Sequence, residues 1–425
     1  MGIKVLHINT SDSGGAAIAA IRIHLGLLQN GIESSYLSLY KTKGGIPSHV
    51  AYDGPVKNTK PDYPVLTLKN VLREKLTHHY QKDMSEYLRK TEEAKKVKTP
   101  TMINGFSSFG LFSSPESIFD ITKTKAYQEA DIIHLHWVAD FIDYPSFFRQ
   151  NKKPVIWTLH DANPYRGGFH HEDDEIRNEK THKFIDDQYK QIKKESIAYQ
   201  DKMTVVSPSL WLAKEALKSE MFVSKKVTTI RNGIDLRIFK PYDKNWAKNF
   251  FNIPSTKTTF LFASHDIQDY RKGLDLLLPL ISCDQFKDVT FILAGSYSSV
   301  FNQENVLVLG SISDQRLMSL VYAASDFFLL TSRTDNLPNT MVEAIASGTP
   351  VIGFPIGDSK EIIEDQGCGF IADEVSTAGL EKVMLKAMDA ENKFDSHKLR
   401  AFAEKNFDQN EQGKLYITEY RQLLK

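Results

Sequence analysis

Cysteine is scarce in this sequence: Cys283 and Cys368 are the only two among 425 residues, far apart and without metal or redox spacing. That excludes a disulfide-stapled scaffold and a cysteine metal site, and it suits a reducing compartment. An excess of one charge is missing too. Lys plus Arg total 53 and Asp plus Glu total 53, so the net charge is zero and nothing global marks a nucleic-acid binder. Long apolar runs are also absent. No stretch approaches the roughly 20 apolar residues that span a bilayer. The apolar run in MGIKVLHINT is shorter than a signal-peptide core needs. The expectation is a cytoplasmic protein with no nucleic-acid partner. A chain of 425 residues is long for one core, so two domains are expected.

What the sequence has instead is short apolar runs alternating with helical patterns. Strands are predicted at residues 3–8, 34–39, 131–137, 154–160, 202–207 and 227–231. A second group falls at 258–264, 289–295, 305–310, 326–332, 350–355 and 369–372. Most are near-continuously apolar, as strands buried on both faces of a parallel sheet must be. Between them lie helices such as 272–282 and 314–325. The second opens on Asp314 and carries Leu317, Leu320, Val321 and Ala324 on one stripe. Such alternation means right-handed crossovers and doubly wound α/β sheets. A dozen strands are too many for one compact sheet, so two sheets of about six are predicted. The join falls in RNGIDLRIFKPYDK (231–244), where Asn232-Gly233 turns and Pro241 stops regular structure. The boundaries are then 1–235 for the first domain, 236–405 for the second, and 406–425 for a last amphipathic helix. That helix has Tyr416, Ile417, Tyr420, Leu423 and Leu424 on one face.

Residues 41–125 interrupt the alternation. Within them, 57–98 holds 11 Lys/Arg against 6 Asp/Glu, and Leu68, Val71, Leu72, Lys75, Leu76 and Tyr80 have helical spacing. Two readings stand: a solvated helical insertion packed by one face, or a basic amphipathic helix making peripheral contact with anionic membrane.

Ligands of open α/β sheets bind beyond the carboxyl ends of strands. After the first strand, Gly14-Gly15 opens a helix. Two glycines let backbone approach a ligand and a helix N-terminus favours an anion, although a simple tight turn has the same look. After the fourth strand come His160, Asp161 and Arg166. On the third, His134 and His136 alternate, with His136 read as facing the cleft and His134 as buried structure. Neighbours in the run His170, His171, Glu172, Asp173, Asp174 cannot all converge on one ion, so no metal is expected. Further on, Arg271 and Lys272 precede a helix and can neutralise a diphosphate. Finally, TSRTDNLPNTMVEAIASGTPVIGF (331–354) turns off a strand through Asp335, Asn336, Leu337, Pro338 and Asn339. It leads into a helix whose first amides lack partners, with Glu343 one turn in, able to reach a diol.

The stretches RNGIDLRIFKP, RKGLDLLL, DNLPNTMVEAIASGTPVIGF and GFI resemble glycosyltransferase family 4, retaining enzymes of the GT-B fold, in order and spacing. INTSDSGGAAIAA, FSSPESIFD, DIIHLHWV and WTLHD look like the branch that builds bacterial exopolysaccharide and lipopolysaccharide, including colanic-acid-type transferases. The likeness spans nearly the whole chain except roughly 41–100. It implies two Rossmann-like domains around a cleft, with the last helix crossing back to the first. The second domain would hold a nucleotide-sugar donor and the first a saccharide, lipid-linked or protein-linked glycan acceptor.

By the same resemblance Glu343 would bind the ribose hydroxyls. Position 335 and the amides of residues 336–339 would approach the donor sugar and phosphate. Lys272 would meet the diphosphate, Gly15 would belong to the glycine loop beside it, His160 would lie near the donor sugar, and Ile312 would hold the base through backbone. His136, Asp161 and Arg166 fall on the acceptor side. The family has glutamate where Asp335 stands, and its usual arginine five residues before the lysine is Ile267, with Arg271 as the substitute. The implied reaction moves a glycosyl group to an acceptor hydroxyl with retention, stabilised by Lys272, Arg271 and amides near Gly15, with no metal or cofactor. A sugar-nucleotide 2-epimerase and a nucleotide-sugar-binding subunit with little catalysis remain as alternatives. Base, sugar, acceptor and linkage leave no trace in these side chains.

Overall fold

The structure, a computed structural model, describes residues 2–56, 102–103, 106–107, 109–267, 269–296, 301, 303–389 and 394–425. The basic helical reading of residues 57–98 lies outside the described residues. All twelve predicted strands are present, in two separate parallel sheets. The first contains β1 (Lys4–Ser11), β2 (Glu33–Tyr40), β3 (His49–Ala51), β6 (Ile132–Leu135), β7 (Val155–Thr158), β8 (Met203–Ser207) and β9 (Lys226–Thr229), in the order β3-β2-β1-β6-β7-β8-β9. It has seven strands rather than about six. The extra one, β3, pairs Tyr36 with His49 in parallel register, and three residues at a sheet edge are too few to register as an apolar run. A short antiparallel pair, β4 (Met102–Ile103) and β5 (Phe106–Ser107), stands apart.

The second sheet contains β10 (Thr259–Asp266), β11 (Thr290–Ser296), β12 (Val306–Gly310), β13 (Phe327–Leu330), β14 (Val351–Gly353) and β15 (Gly369–Ile371), in the order β12-β11-β10-β13-β14-β15. Each order reverses direction beside its first strand, the topology of a doubly wound sheet. Both faces are covered. Leu6, Ile8, Ile133, Leu135, Trp157 and Val205 bury one face of the first sheet, while Val5, Ile132, Ile156 and Val206 bury the other. Fully burying one such aliphatic side chain stabilises by about 1.5–3 kcal/mol.

Twelve α-helices lie among the described residues. In the first half these are α1 (Gly15–Gln29), α2 (Lys125–Glu129), α3 (Tyr144–Gln150), α4 (Glu172–Ile197) and α5 (Leu210–Lys218). Then come α6 (Lys244–Phe250), α7 (Leu274–Ile281), α8 (Gln315–Ala323), α9 (Asn339–Ala346), α10 (Thr377–Met388), α11 (Ser396–Asn406) and α12 (Gln409–Leu423). Asp314 caps α8 by accepting from the amides of Arg316 and Leu317.

The terminal helix α12 packs on α1 and on the first sheet, far from its neighbours in sequence. Contact is close because Gly26 has no side chain: a Cβ there would lie 2.6 Å from the Gln409 carbonyl. Tyr416 and Tyr420 are buried, and their hydroxyls bond Thr158 Oγ1 at 2.9 Å and His134 Nδ1 at 2.7 Å. Leu424, at the end of the predicted stripe, is exposed.

Candidate active site between the two sheets

Loops leaving the C-terminal ends of β7, β13 and β14 line one cavity of about 230 Å³. His160, Asp161, Arg166, His171, Trp211 and Glu215 come from the first half, and Arg333, Asp335, Asn336 and Gly357 from the second. The turn at residues 336–339 is held from both sides. Asn336 Nδ2 donates to the Leu159 carbonyl at 3.3 Å, Ser209 Oγ donates to Asn336 Oδ1, and Asn339 Nδ2 donates to the Gly15 carbonyl at 2.9 Å. Gly14 adopts φ 88°, a conformation open to glycine, and starts α1. The N-termini of α1 and α9 therefore meet across the cleft, each with free amides that favour an anion.

Beside this turn sits a cluster of charge. Asp335 Oδ2 accepts from Lys272 Nζ at 2.6 Å and from Arg271 Nη1 at 3.3 Å. Gly273, at φ 73°, lets the chain bend where a Cβ would strike the Thr331 carbonyl, and Thr331 Oγ1 bonds the Lys272 carbonyl at 2.8 Å. Burial would raise the Asp335 carboxyl, but Lys272 and Arg271 outweigh it and hold the group down at about 2. Burial and Arg271 push the Lys272 ammonium down against the pull of Asp335. Arg271 is shared with Asp269 at 3.2 Å. Arg333 stacks over the Tyr270 ring at 3.9 Å and makes two bonds to Asp275, so its charge is already matched.

Glu343, expected at a diol, is instead held by protein partners in this structure. It is 7% exposed and does not line the cavity. Its Oε1 accepts from Arg22 Nη2 at 2.7 Å and its Oε2 from the Tyr322 hydroxyl at 3.0 Å. Arg22 lies on α1 and Glu343 on α9, so the pair bridges the two halves. Both carboxylate oxygens are therefore committed to protein partners.

On the first half, His160 lines the cavity, with Nε2 3.1 Å from His136 Nδ1. His136 corrects an expectation. It is 1% exposed and stands behind His160, held at its other nitrogen by His7 at 2.8 Å, so it does not face the acceptor side. Asp161 reaches the cavity, but its Oδ2 accepts from Trp137 Nε1 at 2.9 Å and sits 2.6 Å from His170 Nδ1. Burial would raise its carboxyl, yet His170 holds it well below the usual carboxylate range. Arg166 is paired with Glu172 at 3.4 Å and with Glu175. The run at 170–174 is split by the start of α4, with His170 facing inward to Ser113 at 2.9 Å and the acids in the first turn. Among the described residues, the three potential metal ligands that come together are His7, His134 and His136, not this run. Ile312 packs with the core of the second half, away from the cavity.

Several residues escape the sequence reading. Arg22 and His7 are polar residues inside apolar patterns, Arg22 on the Ala19, Ile23, Gly26 stripe and His7 within KVLHI, and that misfit is the signal. Trp211, in the first turn of α5, and Arg333, in the loop after β13, join the cavity from segments distant in sequence.

Residues 257–390 match the Glycosyl transferases group 1 family and residues 78–238 match Glycosyltransferase Family 4. An uncharacterized 41.2 kDa protein in the cps region of Klebsiella pneumoniae is 25% identical over 73% of this chain and 84% of its own length. Several other curated relatives are matched over about half of their own length. Among solved structures, a sucrose-phosphate synthase from Thermosynechococcus elongatus aligns over 99% of both chains with TM-score 0.67 at 15% identity. Anabaena Alr3699/HepE in complex with UDP-glucose aligns over 99% of this chain and 100% of its own, with TM-score 0.63 at 15% identity. The shared fold is GT-B: two Rossmann-like sheets with a cleft between them.

Proposed function

Because the chain belongs to the group 1 and family 4 glycosyltransferases, we propose that it moves a sugar from a nucleoside-diphosphate sugar to an acceptor hydroxyl with retention at the anomeric carbon. The product would belong to bacterial polysaccharide or lipopolysaccharide assembly. The observation that carries this reading is the Lys272–Arg271–Asp335 cluster beside the cavity that His160 lines from the opposite half. A UDP-sugar is the first donor to test, since Anabaena HepE is seen with UDP and with UDP-glucose.

The chemistry follows from charge. As the bond between the anomeric carbon and the diphosphate oxygen breaks, negative charge grows on the leaving phosphate. Lys272, Arg271 and the amides opening α1 and α9 supply fixed positive potential there. The acceptor oxygen bonds the anomeric carbon from the same face, and its proton passes to the leaving phosphate oxygen. His160 orients the sugar rather than acting as nucleophile. Asp161 and Arg166, both tied to protein partners, shape the acceptor side of the cavity. Glu343 serves as the interdomain clasp.

The test is a thermal-shift screen with UDP-, GDP- and ADP-sugars followed by turnover with saccharide acceptors. A ligand at 100 times its Kd stabilises by about 2.7 kcal/mol. Acceptor-dependent release of nucleotide, with product of the donor's anomeric configuration, is expected. Epimerised donor without acceptor would replace this reading with the isomerase, and binding without either reaction would replace it with a binding subunit.

A further inference from the structure

His160 is the cavity-facing end of a buried line of histidines. His7, on β1, and His136, just beyond β6, are almost fully buried. His7 Nδ1 and His136 Nε2 lie 2.8 Å apart, and His136 Nδ1 and His160 Nε2 lie 3.1 Å apart. His134 stacks on His136 at 4.1 Å, and its own nitrogens are taken by Tyr420 and Thr158 at 2.7 Å each, which fixes the plane of the line. The facing nitrogens are too close to be two ligands of one zinc ion, which with bonds of 2.0–2.1 Å would stand about 3.4 Å apart. They are hydrogen-bonded, so each gap holds one proton.

Burial, reinforced for His136 by its histidine neighbours, holds these rings neutral near neutral pH; His160 is pushed down to about 4. A neutral imidazole has one N–H and one lone pair. The line can therefore point only outward or inward. Pointing inward, His7 Nε2 must carry a proton, yet that nitrogen is buried without a partner. Pointing outward, it keeps only a lone pair. Orphaned buried N–H groups are rare in folded proteins, more so than under-used acceptors. Outward direction puts an N–H on His136 Nδ1, a lone pair on His160 Nε2, and the last proton on His160 Nδ1.

We infer that His7 and His136 are positioning residues that fix His160 as the Nδ1–H tautomer, so that His160 meets the bound sugar as a hydrogen-bond donor and not as a base. This rests on the reading of His160 as a donor-sugar contact, and it deepens it: a group with no free lone pair cannot remove the carbon-bound hydrogen that a 2-epimerase must take. Free histidine favours the opposite tautomer, so the line is doing something solvent would not.

The tautomer can be read directly. Protein labelled with [15N]histidine separates Nδ1–H from Nε2–H by ring-nitrogen shifts and couplings, and His160→Ala identifies the signals. The expected wild-type pattern at neutral pH is Nδ1–H. In His136→Phe, which cuts the line, the pattern should move toward Nε2–H, with kcat falling by up to about 100-fold, the cost of a misplaced catalytic group, and donor KM changing less. His7→Asp, an acceptor at the far end, should reverse the line, and it replaces His136→Phe if that variant does not fold. Nε2–H on wild-type His160, or Nδ1–H retained after either substitution, would overturn the inference. Because the spectrum needs no turnover, a protein without transferase activity would sink the proposed function while leaving this measurement to decide separately.

Discussion

Asp335 and Glu343 stand eight positions apart on one turn and helix, and the fold gives them different surroundings. Glu343 points away from the cavity into a dry contact with Arg22 and Tyr322, bridging the two halves. Asp335 stays at the cavity wall, paired with Lys272 and Arg271 from its own half. Spacing alone makes the two carboxylates look equivalent; their partners and their access to the cavity separate them. A charge pair sealed from water has no replacement partner, so it acts as a structural clasp. A pair at a cavity wall can exchange its carboxylate for another anion, and the proposed function rests on that exchange.

The largest effect should come from breaking the clasp. Arg22→Ala or Glu343→Ala leaves a buried charge uncompensated and is expected to cost about 3–5 kcal/mol in urea unfolding. Replacing both with Met should recover most of that loss, since a buried pair is often neutral to replace by apolar groups. If Glu343→Ala kept full stability but lost UDP affinity, the clasp reading would fall and the diol reading would return. Next in size is Lys272→Ala, at the other carboxylate. Turnover should drop about 100- to 1000-fold, or roughly 3–4 kcal/mol, because the charge it meets is greatest in the transition state. Stability should change much less than for Arg22→Ala. An equal loss in both would mean that the two clusters do the same job.

The same contrast marks what was legible in the sequence. Strands buried on both faces leave continuous apolar runs, and all twelve could be read. His49–Ala51, a three-residue edge strand, left none. The turn at residues 336–339 was legible as a helix-opening loop because Pro338 and the asparagines constrain it locally. The contact made by Glu343 was not, because its partner Arg22 is 321 positions away and nothing local distinguishes a carboxylate facing a diol from one facing a guanidinium. His136 failed for a related reason. Alternation along a strand gives a side, but depth depends on His160 standing in front of it.

Acid should separate the two halves further. His24 and His160 are pushed down to about 4 and His171 to about 3, in each case mainly by burial, and all three lie in the first half. Between an unfolded value near 6.5 and those folded values, the unfolded chain binds more protons, so stability falls as pH falls through that window. Each group contributes up to about 1.4 kcal/mol per pH unit. The Asp335 cluster behaves later: its stabilisation persists above the unfolded carboxyl value and is lost only as pH falls toward about 2. Calorimetry from pH 7 to 4.5 should show a falling Tm and proton uptake on unfolding. A flat Tm over that range would contradict neutral buried histidines.

The smallest effect expected is at Asp335 itself, and its sign is the informative part. The carboxylate occupies Lys272 Nζ at 2.6 Å. An incoming diphosphate must share or displace it. Asp335→Asn keeps the shape, removes the competing charge, and leaves Lys272 and Arg271 without that counterion. UDP affinity should therefore rise by a few-fold, about 1 kcal/mol, as expected for a partly exposed ion pair. The gain should shrink as salt rises, because added ions screen the freed cations. UDP is the probe rather than a UDP-sugar, so that any contact between Asp335 and the sugar does not enter the measurement. Titration calorimetry at two salt concentrations reads both. Weaker UDP binding in Asp335→Asn would show that the carboxylate helps to hold the nucleotide, and the line between a reserved anion site and a ligand-binding acid would have to be redrawn.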